Sequence, residues 1–162
     1  MKLYIVRHGE AGAASGGAER ALTPTGHQQA QRAGQLLQAE RPQLLLFSPK
    51  LRARQTAEEL QSICTGIPAT ATDSLLPGAT TSDVVSSLEE AQAAGNERVI
   101  LASHLPLVAE LTAWLLTGDS KDYALPGYPP ASVVALQLDL VGPAAAQLLW
   151  YAFSPDFEKR TH

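Results

Sequence analysis

Two short apolar runs in this chain end in a histidine. Residues 2–6 (KLYIV) lead into Arg7-His8, and residues 99–102 (VILA) lead into Ser103-His104. A third run, residues 44–47 (LLLF), stops at Ser48-Pro49 and feeds a polar stretch that carries Arg52 and Arg54. If these runs are neighbouring parallel strands, their carboxyl ends share one rim, which is where open α/β sheets bind ligands. That rim would collect two imidazoles and at least two guanidinium groups, Arg7 and one of the later pair. Guanidinium forks match phosphate oxygens, and helix starts add backbone N–H donors. Phosphoryl binding or transfer is the chemistry that suits this set.

Arg52 and Arg54 cannot both face the rim, because two residues along a helix are about 200° of rotation. Arg52 shares a face with Gln55 and Thr56; Arg54 shares one with Glu58, which makes it a surface residue with an i,i+4 partner. The remaining candidates take plainer readings. His27 lies inside a helix and His162 at the end of the chain, so both are read as structural or solvated. Cys64, late in a helix, reads as buried rather than reactive. Trp114 and Trp150 read as core or rim packing.

The elements that must position these groups follow from pattern. Residues 2–6, 44–47 and 99–102 read as buried strands. Residues 11–18 (AGAASGGA) have no period and read as a surface loop. Thr23-Pro24 reads as N-cap and first helical residue, and Ala30, Ala33, Leu36 and Leu37 recur at helical spacing before Pro42. Further helices are expected over residues 51–63, 82–94 and from Pro106 through a stripe of Leu107, Val108, Leu111 and Leu115. Residues 69–75 are read as a strand, 126–130 as a Pro/Gly loop, and 132–139 with 147–153 as a hairpin across Gly142-Pro143. Alternating strands and helices predict an α/β three-layer sandwich, with a mainly parallel sheet flanked by helices. Residues 1–154 are expected to form a single domain, and residues 155–162 a frayed tail.

Composition narrows the function. The chain has 162 residues, 45% hydrophobic and 17% charged, with a net charge of −4; this is globular and lacks the basic footprint of a nucleic-acid binder. One cysteine excludes an internal disulfide and a multi-cysteine metal site. No apolar run approaches the roughly 18 residues of a membrane span, and the start lacks a signal peptide's pattern. A cytoplasmic protein with no membrane or nucleic-acid partner is expected.

At the rim residues the sequence resembles a known family. Arg7-His8-Gly9-Glu10 looks like the RHG signature of the histidine phosphatase superfamily, which includes phosphoglycerate mutases and acid phosphatases. Leu22-Thr23-Pro24-Thr25-Gly26, followed by Gln29-Ala30, is similar to its L-T-x-x-G-x-x-Q-A element. Ser48 to Ala57 matches S-x-x-x-R-A-x-Q-T-A, and Ser103-His104 matches the later S-H element. The order is right, and the run Ser103-His104-Leu105-Pro106-Leu107-Val108, with Leu76-Pro77-Gly78, resembles the small SixA-type phosphohistidine phosphatases in particular.

The resemblance implies a phosphoglycerate mutase-like fold without a large cap insertion. It implies His8 as the nucleophile that takes the phosphoryl group, with Arg7, Arg52 and His104 binding its oxygens and Gly9 and Glu10 completing the substrate-binding turn. Water would then release phosphate from phospho-His8, splitting one hard step into two. No metal and no cofactor are implied, since side chains supply the positive charge.

Larger members of the superfamily carry a carboxylic acid between the arginine helix and the second histidine. Here Asp73, Asp83, Glu89 and Glu90 fall in that interval, none in a recognisable motif; Asp83 and Glu10 are the candidate proton donors. An acid matters most for a poor leaving group such as an alkoxide. Phosphohistidine can leave as neutral imidazole, so this pattern favours an N–P bond. The expected substrate is a phosphorylated protein of the histidine-phosphotransfer or phosphocarrier type. The alternatives are a phosphatase of small phosphorylated molecules, such as phosphoesters or nucleotides, and a non-catalytic phosphate-binding domain.

Overall fold

The computed structural model describes every residue except Ala124, Pro126 and His162. The expected loop at 126–130 and the reading of His162 therefore lie partly or wholly outside the described residues. The order of elements is β1 (Lys2–Arg7), α1 (Pro24–Gln38), β2 (Leu44–Phe47), α2 (Leu51–Ile63), β3 (Ala69–Ala71), α3 (Thr81–Ala93), β4 (Arg98–Ser103), α4 (Leu107–Thr117), β5 (Val133–Leu138) and β6 (Ala146–Ala152).

The six strands form one sheet in the order β3-β2-β4-β1-β5-β6. β3, β2, β4 and β1 run parallel, whereas β5 is antiparallel to both β1 and β6. Side chains alternate between the two faces at the period of a strand. Leu3, Ile5, Leu46, Val99, Leu101, Val134 and Leu136 face a core shared with Leu88 of α3 and Leu111 and Leu115 of α4. Tyr4, Val6, Leu45, Ile100, Ala102, Val133 and Ala135 face a second core with Ala33 and Leu37 of α1 and Leu60 of α2. Near-continuous apolar strands are what a sheet covered on both faces requires. The three layers are helix pair, sheet and helix pair.

Local signals explain the boundaries that matter. Thr23 caps α1 by accepting from the Gly26 N–H at 3.0 Å, and Pro24 opens the helix. α4 ends at Gly118, whose φ of 86° is the left-handed conformation that glycine adopts without strain.

Two expectations are corrected. The strand read over 69–75 stops at Ala71, because the Thr72 side chain accepts from the Ser74 N–H and starts a 3-10 turn over Asp73–Leu75. The segment read as a frayed tail folds back: Tyr151 and Arg160 exchange backbone hydrogen bonds, and Phe157 is buried in the second core. Burial of the Phe157 ring acts together with the Tyr151–Arg160 backbone bonds and with Lys159, which reaches Glu40 at 2.8 Å and lies over the Trp150 ring, to offset the entropy lost on ordering the segment.

Candidate active site

β1 and β4 are adjacent and parallel, with Arg7 opposite Ser103, so His8 and His104 leave the sheet side by side. The His8 N–H donates to the Ser103 carbonyl at 2.9 Å, and the Ser48 N–H donates to the Ala102 carbonyl at 3.0 Å. Three strand ends are thereby tied at one rim. The two imidazole rings lie 5.1 Å apart at a tilt of 56°. Arg52, in the first turn of α2, donates through Nε to His8 Nε2 at 3.3 Å. That turn holds no acidic residue, so the positive end of the helix is uncompensated. Arg7 is held by a hydrogen bond from Nη1 to the Tyr128 carbonyl.

The orientation of His8 follows from its partners. Nδ1 lies 2.7 Å from the Gly9 carbonyl, which can only accept, so Nδ1 carries the proton and Nε2 keeps its lone pair. Burial lowers the His8 pKa to about 4, with Arg52, Arg7 and Arg20 acting in the same direction. Burial likewise lowers His104 to about 3, assisted by Arg52, His8 and Lys50. His104 Nε2 meets Ser48 Oγ at 2.7 Å. Among the described residues, His104 Nδ1 and Arg7 Nε are buried without a hydrogen-bond partner. The site thus holds two neutral rings among fixed cations, an environment that favours an anion.

The motif residues between these groups act as braces. The Gly9 N–H donates to Thr56 Oγ1 at 3.0 Å, and that hydroxyl donates to the Arg52 carbonyl at 2.8 Å, so one buried side chain joins the histidine turn to the arginine helix. Gln55 Oε1 accepts from the Leu22 N–H at 2.7 Å, and Gln29 Oε1 accepts from the Glu10 N–H at 2.9 Å. Gly9 and Gly26 permit a close crossing: a Cβ at Gly26 would sit 2.0 Å from the Glu10 carbonyl oxygen. The spacing within each motif is thus the spacing of contacts between the turn after β1, the start of α1 and the start of α2.

The structure brings together Arg7, His8, Gly9, Arg52 and His104. Both candidate proton donors have carboxylates bonded to neighbouring threonines. Asp83 is the third residue of α3, and its carboxylate accepts from the Thr80 N–H and hydroxyl, both at 2.7 Å, in a capping box. Those bonds lower its pKa, the opposite of what a general acid needs. Glu10 is exposed, and its Oε1 accepts from the Thr23 hydroxyl at 2.7 Å. Arg54 pairs with Glu58 at 3.8 Å, and His27 with Glu59 at 2.7 Å. Cys64 is buried, and burial pushes its thiol up to about 11. Trp114 and Trp150 pack against the two cores.

Ser48 and the Tyr128 carbonyl were missed as parts of the site. Ser48 was detectable by the rule that found the histidines, since it too ends a buried strand. The Tyr128 carbonyl left no signal, because backbone carbonyls carry none.

The fold and this histidine–arginine site define a phosphoryl-handling enzyme built on a phosphoglycerate mutase-like sandwich. The model of the histidine phosphatase superfamily (branch 1) matches residues 3–76. The phosphohistidine phosphatase SixA of Escherichia coli (strain K12) is 31% identical over 147 residues, 88% of each chain. The chain belongs to the histidine phosphatase superfamily, and it is a phosphatase. A solved structure of the protein histidine phosphatase SixA, complexed with tungstate, superposes with a TM-score of 0.79 at 28% identity, over 93% of this chain and 96% of that one. A mycobacterial glucosyl-3-phosphoglycerate phosphatase reaches 0.74 at 22% identity, over 91% and 97%, a likeness of fold alone.

Proposed function

We propose that this enzyme hydrolyses phosphohistidine on a protein of the histidine-phosphotransfer or phosphocarrier type, in the cytoplasm, through a covalent phospho-His8 intermediate. The observation that carries the reading is His8: its Nδ1–H is committed to the Gly9 carbonyl, so a neutral Nε2 is presented among Arg7, Arg52 and His104. The likeness to SixA supports the N–P substrate, and the tungstate carried by its solved relative, an oxyanion, supports a phosphoryl-binding site.

His8 Nε2 attacks phosphorus and forms an N–P bond as the substrate's N–P bond breaks. The substrate ring, protonated on its other nitrogen, leaves as neutral imidazole. Water then attacks phospho-His8; its proton goes to the phosphate product, and His8 returns to the Nδ1–H form. Arg7 and Arg52 position the phosphoryl oxygens and offset their charge, which is where most phosphoryl-transfer catalysis lies. We assign the Ser48 hydroxyl as donor to His104 Nε2, because Ser48 Oγ accepts from the Lys50 N–H at 3.4 Å and keeps its proton free. His104 Nδ1–H then meets a phosphoryl oxygen, which answers the orphaned atom.

Two features favour an N–P over a P–O bond. Among the described residues, no carboxylate hydrogen-bonds or ion-pairs with His8, His104, Arg7 or Arg52. The interval between α2 and β4, where a cap would be inserted, is spent on β3, a 3-10 turn and α3, whose Val84 and Leu88 lie in the first core. The rim is left open to a protein-borne group. Quenching wild type during turnover should trap a phosphate on His8 Nε2, and His8→Ala should trap none. A phosphoenzyme at another residue would overturn the mechanism.

A further inference from the structure

Among the described residues, three large apolar side chains are exposed: Leu105, Tyr123 and Leu140. Leu140 lies beside the turn between β5 and β6, but Leu105 and Tyr123 line the same groove. Pro106, Ala109, Leu125, Gly127 and Tyr128 complete it, with a cavity volume of about 330 Å³. None of these seven residues is charged. Isolated exposed leucines need no explanation, but a shared apolar groove beside a site does.

The groove is continuous with the phosphoryl site at two points. Leu105 follows His104 directly, and the Tyr128 carbonyl is the acceptor that holds Arg7. Tyr128 is fixed from behind by its ring contact with Phe153 at 6.0 Å, so the wall rests on the first core. The volume is at the low end for ligand pockets and suits one or two aliphatic side chains. A side chain three or four positions from a helical phosphohistidine lies roughly 5–6 Å from it, close enough to enter while the phosphoryl group sits between the arginines. Charged groups near the site are engaged elsewhere, with Lys50 paired to Glu19 at 3.5 Å and Arg20 held by the Ala11 and Gly12 carbonyls.

We propose that this groove is the docking site of the protein substrate, and that it receives an aliphatic side chain carried on the same helix as the phosphohistidine. The proposal rests on the phosphohistidine reading and adds the determinant that separates a protein substrate from free phosphohistidine.

The test measures kcat/KM of the full chain for a phosphorylated histidine-phosphotransfer domain and for free phosphohistidine, in wild type, Tyr123→Ser and Leu105→Ala. Tyr123→Ser is the cleaner variant, because Leu105 adjoins His104. The expected result is a loss of about tenfold toward the protein, mostly in KM, with free phosphohistidine unchanged within about twofold. Equal losses on both substrates in Tyr123→Ser, or no loss on the protein, would overturn the proposal. A loss confined to a small aryl phosphate would assign the groove to a small molecule, and a change of oligomeric state would assign it to a second copy of the chain; either result overturns it. Wild type inactive on both phosphohistidine substrates would instead refute the functional reading, a failure distinguishable from these.

Discussion

Replacing Thr56 with valine removes one hydroxyl and keeps the side-chain volume close to its original value. Thr56 is fully buried, and its hydroxyl is the only partner of the Gly9 N–H among the described residues. A buried donor left unpaired costs about 1–3 kcal/mol. The Arg52 carbonyl loses less, because it keeps its place in the helix ladder. For a domain of this size, each kcal/mol lowers Tm by about 2–4 °C, so the expected drop is about 2–12 °C. Turnover should fall by more than stability explains. The Gly9 carbonyl orients the His8 ring, and misplacing a reacting group by about 1 Å can cost a hundredfold. The assay is thermal unfolding beside steady-state phosphate release, with Thr56→Ser as the control that restores the hydroxyl. The brace would be refuted if the valine variant kept wild-type Tm and kcat, or if the serine variant fared no better than valine.

Four further outcomes follow from the same geometry. Below pH 6.5 the unfolded chain protonates residues 8 and 104 while the folded chain, with values of about 4 and about 3, does not. Stability should therefore fall as pH drops toward about 4, by up to about 1.4 kcal/mol per unit for each ring; urea unfolding at pH 7 and pH 5 measures it, and an unchanged slope in His8→Gln/His104→Gln would contradict it. The acid limb of kcat/KM should lie well below 6.5, and a midpoint at 6.5 would mean that His8 is not buried as described. Gly26→Ala, a change that ordinarily stabilises a helix interior, should here destabilise and inactivate, because the added Cβ meets backbone at 2.0 Å; circular dichroism melts with a turnover assay decide the sign. Asp83→Asn should leave phosphohistidine turnover unchanged, and a large loss in kcat would restore Asp83 as the acid.

The strands and all four helices were legible because both faces of the sheet are covered, which writes unbroken apolar runs, and because Thr23 and Gly118 mark helix ends with side-chain and backbone chemistry. His8, His104 and Arg52 were legible because strand ends and helix rotation fix where they point. The 3-10 turn after Ala71 was not legible, since Thr72 competes with the strand through one local hydrogen bond. Nor was the docking of Phe157, which joins a core built largely from residues far away in sequence, Tyr4, Leu37 and Leu60 among them. Asp83 was a candidate by position alone; only its two bonds to Thr80 show that its carboxylate serves a helix end.

The central claim is that His8 carries the phosphoryl group and that the substrate bond is N–P. Phosphate release from a phosphohistidine-bearing protein, run beside a simple phosphoester with wild type and His8→Ala, tests it most directly. The account predicts preferential release from the phosphohistidine protein by wild type and none by the variant. Faster release from the ester, or release that survives the loss of His8, would contradict it.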